Sequence, residues 1–172
     1  MIESDRQYLR QIAGELNVYS CFSTCVLNGL MDTEHLDARE GLQMQQEMMR
    51  DHQFWFPRAY WRNGKYVRPF GVDVQEISNL GQIMLGKYLP IDTIFSEELH
   101  DESDAVIRIL HSGSAIVLDD SHSQHAYLML SRPSSYRDLP IVDPFCPDEE
   151  LTITPEVALK IIQGSRYATL VG

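Results

Sequence analysis

Strand-like runs crowd into the second half of this chain. SAIVLDD, HAYLMLSR, LPIVDPF, ELTIT and YATLVG all fall within residues 114–172, apolar or alternating, with Ser, Pro, Asp and Gly between them. Such runs suit short strands buried on one or both faces. The first 50 residues carry helical periodicity instead. Ile2, Tyr8, Leu9, Ile12, Ala13 and Leu16 predict a helix over 2–16. CFSTCVLNGLM predicts a second, with Phe22, Cys25, Val26, Leu30 and Met31 on one side and Ser20 as N-cap. A third is expected from about Thr33 to Asp51. Between the two halves, FWFPRAYWRNGKYVRPFG is rich in aromatic residues, and its Asn63-Gly64 predicts a hairpin or ordered loop. Helices over Val74–Leu85, Glu97–His111 and Pro155–Gln163 and a strand in LPIDTIF complete the expectation. Helices first and a mostly antiparallel sheet afterwards make the class α+β.

At 172 residues, 44% of them apolar, the chain suits one domain over 1–172, its helical part about 1–52 and its sheet-rich part about 88–172. Asp+Glu number 25 against 14 Lys+Arg, a formal charge of −11, and no basic cluster offers nucleic acid or an anionic membrane a footprint. Neither partner is expected. No apolar run approaches the roughly 18 residues of a membrane span, and MIESDRQYLRQ lacks a basic region followed by an apolar one. The expected compartment is the cytosol, unless a specialised export route reads another signal. Cys21, Cys25 and Cys146 are too few for a disulfide framework and read as thiols.

Three residues carry the chemistry. Cys21 stands at the start of a helix, where unpaired N–H groups and the dipole favour a thiolate. Cys25, one turn inside, has lost much of that effect and reads as a small packing residue. His125 opens the apolar strand HAYLML, and Asp143 closes the next run, LPIVDPF. A carboxylate accepting an imidazole N–H fixes the tautomer and supports the imidazolium, completing a set of nucleophile, base and orienter. Each residue also has an ordinary reading: core cysteine, strand-entry histidine, strand-ending turn aspartate.

Asp119, Asp120, His122 and His125 in DDSHSQH form the one metal-like pattern, and a turn between strands is as natural a home for those residue types. Phe54, Trp55, Phe56, Tyr60 and Trp61 could line a groove, but packing between the helical half and the sheet is preferred. Met44, Met48 and Met49 read as the core stripe of a helix. No metal or other cofactor is called for.

Taken together, CFSTCVLNGLM, HAYLML and IVDP, with 104 residues from Cys21 to His125 and 18 from His125 to Asp143, resemble the papain-like cysteine peptidase superfamily. The pattern is most similar to the bacteriocin-processing peptidase domains that act on double-glycine leaders. The resemblance implies a Cys21, His125 and Asp143 triad, thioester chemistry and a peptide or protein substrate. Where that family has a glutamine six residues before the cysteine, this chain has Glu15, so Asn17 is the candidate oxyanion donor. Where it usually has glycine after the cysteine, this chain has Phe22, a bulky neighbour expected to narrow the cleft. The implied function is cysteine-dependent acyl transfer at an amide bond, by a peptidase, deamidase or transglutaminase-like enzyme. The rivals are a degenerate peptidase-like module that binds peptide without cutting it and a metal-dependent hydrolase.

Overall fold

The computed structural model describes residues 7–11, 20–50, 60–62, 65–67, 74–99, 103–123 and 125–172. Helices α1 (Ser20–Asp32) and α2 (Ala38–Arg50) come first, followed by the two short strands β1 (Tyr60–Arg62) and β2 (Lys65–Val67) and helix α3 (Val74–Leu85). Strand β3 (Ile91–Phe95), a 3-10 turn (Ser96–Leu99) and helix α4 (Ser103–His111) lead into β4 (Ala115–Asp120), β5 (His125–Met129), β6 (Leu139–Val142) and β7 (Leu151–Ile153). Helix α5 (Pro155–Ser165) and strand β8 (Tyr167–Val171) close the chain. Six strands form one sheet in the order β3-β8-β4-β5-β6-β7, every described neighbour antiparallel.

Alternation along the strands divides the core in two. Ala115 and Val117 of β4 and Ala126 and Leu128 of β5 pack with Phe22, Cys25, Val26, Leu27 and Leu30 of α1, joined by Met44 of α2 and Ile77 of α3. Ile116, Leu118 and Met129 face the other way, onto Val106 and Leu110 of α4 and Leu159 and Ile162 of α5. A side-chain period of two produces this division, because successive residues point to opposite faces of a sheet. Helix α1 lies close on the sheet because it carries Gly29. A Cβ there would stand 3.0 Å from Val171 Cγ1 and 3.2 Å from Leu128 Cδ1. At its C-terminal end Asp32 Oδ2 accepts the Ser131 N–H at 2.7 Å, tying α1 to the exit of β5. Both anchors set where the opposite end of α1, and so Cys21, meets the strands.

Several local expectations change. Residues 7–11 have no regular secondary structure, and the remainder of the helix expected over 2–16 lies outside the described residues. The Leu9 N–H donates to Asn28 Oδ1 at 2.7 Å and Asn28 Nδ2 donates to Leu9 O at 3.0 Å, so a buried side chain of α1 replaces an intrahelical partner. Helix α1 begins at Ser20, which is its first residue and not its cap. Helix α2 starts at Ala38 and not near Thr33. Glu34 sits at φ 64, off the helical path, and Asp37 and Glu40 form a reciprocal cap of 2.8 and 2.9 Å. Of the helix expected over Glu97–His111, residues 97–99 belong to the 3-10 turn, Ser103–His111 form α4, and 100–102 lie outside the described residues. The hairpin is present as β1 paired with β2, Arg62 opposite Lys65, whereas Phe54, Trp55 and Phe56 lie outside the described residues.

Candidate active site

Cys21 is the second residue of α1, in the turn whose N–H groups lack intrahelical acceptors. It is 7% exposed, and the α1 residues that follow it are core residues. Phe22 is among them at 2% exposure, packed in the cluster between α1 and the sheet. It therefore does not narrow a cleft, contrary to expectation, because the helix turns the residue after Cys21 inward. Cys25 is completely buried, and burial, then the charge of Cys21, pushes its thiol well above the ordinary range.

His125 is the first residue of β5 and Asp143 immediately follows β6, the strand paired with β5. The sheet brings them together across 18 residues. His125 Nε2 lies 2.6 Å from Asp143 Oδ1, and both side chains are largely shielded from solvent. The His125 side chain is also hydrogen-bonded to Cys21. With Nε2 held by the carboxylate, Nδ1 is the ring nitrogen left for the sulfur. Burial disfavours the imidazolium, but the hydrogen bonds and charges of Cys21 and Asp143 outweigh it and raise the His125 pKa from 6.5 to about 9. Cys21, His125 and Asp143 thus form one cluster.

Asp143 Oδ1 also accepts the Phe145 N–H at 2.9 Å, so a single oxygen both meets the histidine and caps the turn after β6. The contacts that the two readings of Asp143 call for, one to the histidine and one to the turn, are both made by this oxygen. Next to it, Cys146 is pushed up to about 11 by burial, then by the charge of Asp143, and remains a protonated thiol at neutral pH. Asn17 and Glu15 lie outside the described residues.

The residues of DDSHSQH do not converge on a metal. Asp119 Oδ2 accepts a hydrogen bond from the Tyr167 hydroxyl, Asp120 accepts the His122 N–H and the Ser123 hydroxyl at 3.0 Å each, and His125 faces Asp143. Asp119 and Asp120 are adjacent in β4 and so point to opposite faces of the sheet. Among the described residues no group of three or more His, Cys, Asp or Glu could hold a metal ion.

Tyr127 was not anticipated as a neighbour of the site. Its ring stands edge-on to that of His125, centroids 4.9 Å apart and planes at 89°. The signal lay in the sequence, since residues two apart in a strand share a face.

No protein-family model and no curated protein matches the chain. It is similar in structure to a protein from Bacillus anthracis described as a candidate C39-like peptidase, with 11% identity, a TM-score of 0.50, and 99% of this chain and 96% of that one covered. At that identity the likeness speaks for the fold alone. No helix of the described residues is long and apolar enough to cross a membrane. The chain has a papain-like α+β fold, in which the helix that carries Cys21 packs on an antiparallel sheet that carries His125 and Asp143.

Proposed function

We propose that this protein is a cysteine hydrolase or acyltransferase acting on an amide bond of a peptide or protein, with Cys21 as nucleophile, His125 as proton shuttle and Asp143 as orienter. The observation that carries this reading is the His125 Nε2 to Asp143 Oδ1 contact of 2.6 Å on a ring also hydrogen-bonded to Cys21. With its pKa near 9 the imidazole is cationic at neutral pH, the state that stabilises a neighbouring thiolate and can protonate a leaving amine.

Attack by the Cys21 thiolate on the carbonyl carbon forms a C–S bond and a tetrahedral oxyanion. The Cys21 backbone N–H and the Asn17 side chain are the donors assigned to that oxyanion. His125 gives its proton to the leaving nitrogen as the C–N bond breaks, leaving a thioester and a neutral imidazole. That imidazole takes a proton from water, or from an acceptor amine, which attacks the thioester and regenerates the thiolate. A single glutamine side chain as substrate makes the reaction a deamidation, and a backbone amide makes it proteolysis. The chemistry uses no cofactor. Burial of Phe22 removes one of the two departures that favoured a binding module; Glu15 is the other.

Timed alkylation with iodoacetamide at neutral pH, mapped by mass spectrometry, tests the assignment. Cys21 should be the labelled residue, with Cys25 protected by burial and Cys146 by its raised pKa. Cys21→Ala should abolish both labelling and activity. Fast labelling at Cys146 with Cys21 inert would refute it.

A further inference from the structure

On the sheet face opposite α1 lies a pocket of about 280 Å³ lined by Leu118 and Asp120 of β4, Tyr127 of β5, Ile141 of β6, Ile153 of β7 and Ile161 of α5. It is smaller than the roughly 300–1,000 Å³ that encloses a drug-sized ligand, and matches a single long side chain. Its position follows from the ladder. Asp120 is paired with His125 and Leu118 with Tyr127, so the pocket begins on the rung of the candidate-triad histidine and extends two residues inward along both strands. Tyr127 is shared, lining the pocket and standing edge-on to the His125 ring.

The lining is chemically divided. Leu118, Ile141, Ile153 and Ile161 are four aliphatic walls, while Asp120 and the Tyr127 phenol are the polar contributions. Asp120 is half-buried, and its oxygens accept the His122 N–H and the Ser123 hydroxyl. A carboxylate offers about four lone-pair sites, so both oxygens can accept again. His125, the ladder partner of Asp120, is already matched by Asp143 and Cys21. Among the described residues no Lys or Arg pairs with Asp120.

We propose that this pocket binds the long cationic side chain of a peptide substrate, arginine or lysine. The aliphatic walls take the methylene stem, and Asp120, beside the Tyr127 hydroxyl, takes the charged head. A flexible apolar stem ending in a cation fits such a lining better than an aliphatic side chain, which would cover the half-buried carboxylate without matching its charge. The charge of −11 favours a basic peptide in the same direction. The inference rests on the cysteine-enzyme reading and adds the substrate class.

The test is the rate of Cys21 labelling by peptidyl chloromethyl ketones carrying arginine, lysine, citrulline, norleucine or glutamate, in turn, at each of the two positions next to the ketone. Iodoacetamide serves as the reagent without a side chain. Arginine or lysine should label at least about tenfold faster than norleucine at one position, and arginine similarly faster than its neutral isostere citrulline. In Asp120→Asn the arginine-to-citrulline ratio should fall to about one. Equal rates for all side chains, with Cys21 still alkylated by iodoacetamide, would overturn the pocket assignment and leave the cysteine enzyme standing. Preference for norleucine would make the pocket purely apolar and overturn the cationic class. A cationic preference that persists in Asp120→Asn would assign it to the general acidic surface instead. Should that variant fail to fold, the arginine-to-citrulline ratio in the unmodified protein decides. A Cys21 inert to every reagent, iodoacetamide included, would overturn both the enzyme and the pocket.

Discussion

Replacing Asp143 by asparagine separates the charge of that residue from its shape. Oδ1 meets His125 Nε2 at 2.6 Å and accepts the Phe145 N–H at 2.9 Å. An amide oxygen can accept both hydrogen bonds, so the turn persists and the negative charge is what disappears. Cys21 and Asp143 together lift the His125 pKa from 6.5 to about 9, against burial. The Asp143 hydrogen bond and charge are among the causes of that rise, and in this partly exposed site, with solvent screening, they are worth on the order of 1 kcal/mol to the imidazolium. Folding raises this pKa above its unfolded value. The stabilisation is therefore fully present below pH 6.5 and is lost as the pH rises through about 9. Asp143→Asn should then cost about 1 kcal/mol of stability at about pH 6 and almost nothing at about pH 10. Urea unfolding at both pH values measures the cost, and NMR titration of the His125 ring protons should place its pKa lower in the variant than in the parent protein. Equal destabilisation at both pH values would assign the whole effect to the Phe145 turn. An unmoved histidine titration would refute the orienting role outright.

Phe22→Ala should cost about 3–5 kcal/mol in chemical denaturation, because the side chain it removes is 2% exposed and packed under α1. A loss below about 1 kcal/mol would mean that the ring faces the cleft after all. Asp37→Ala breaks the reciprocal cap that opens α2 and should cost about 1 kcal/mol, a fall of roughly 2–4 °C in Tm for a chain of this length. No change in Tm would show that the cap is dispensable in solution.

What was legible from residue order was the part governed by local periodicity and by chemical type. The runs after residue 114 became strands because period-two apolar patterns bury well on a sheet, and CFSTCVLNGLM became a helix because its apolar residues return at helical spacing. Cys21, His125 and Asp143 were recognisable together, through their order and the element types that carry them. Where local pattern competed with a distant partner, it failed. Leu9 had helical company on both sides, yet its backbone is bonded by the side chain of Asn28, and residues 7–11 are not helical. Glu34 lies within a helical pattern, but its left-handed conformation directs the chain into the Asp37 cap.

The sequence by itself determined the α+β class and which residues could supply a nucleophile, a base and a carboxylate, because both follow from periodicity and side-chain chemistry. Only the tertiary structure decided that Phe22 turns into the core, that Asp143 Oδ1 meets a ring and a turn at once, and that Asp120 and Tyr127 frame a pocket starting on the rung of His125. Those outcomes depend on which strand pairs with which and on how closely Gly29 lets a helix approach the sheet. Pairing register and close approach are properties of residues far apart in the chain, and no local pattern encodes them.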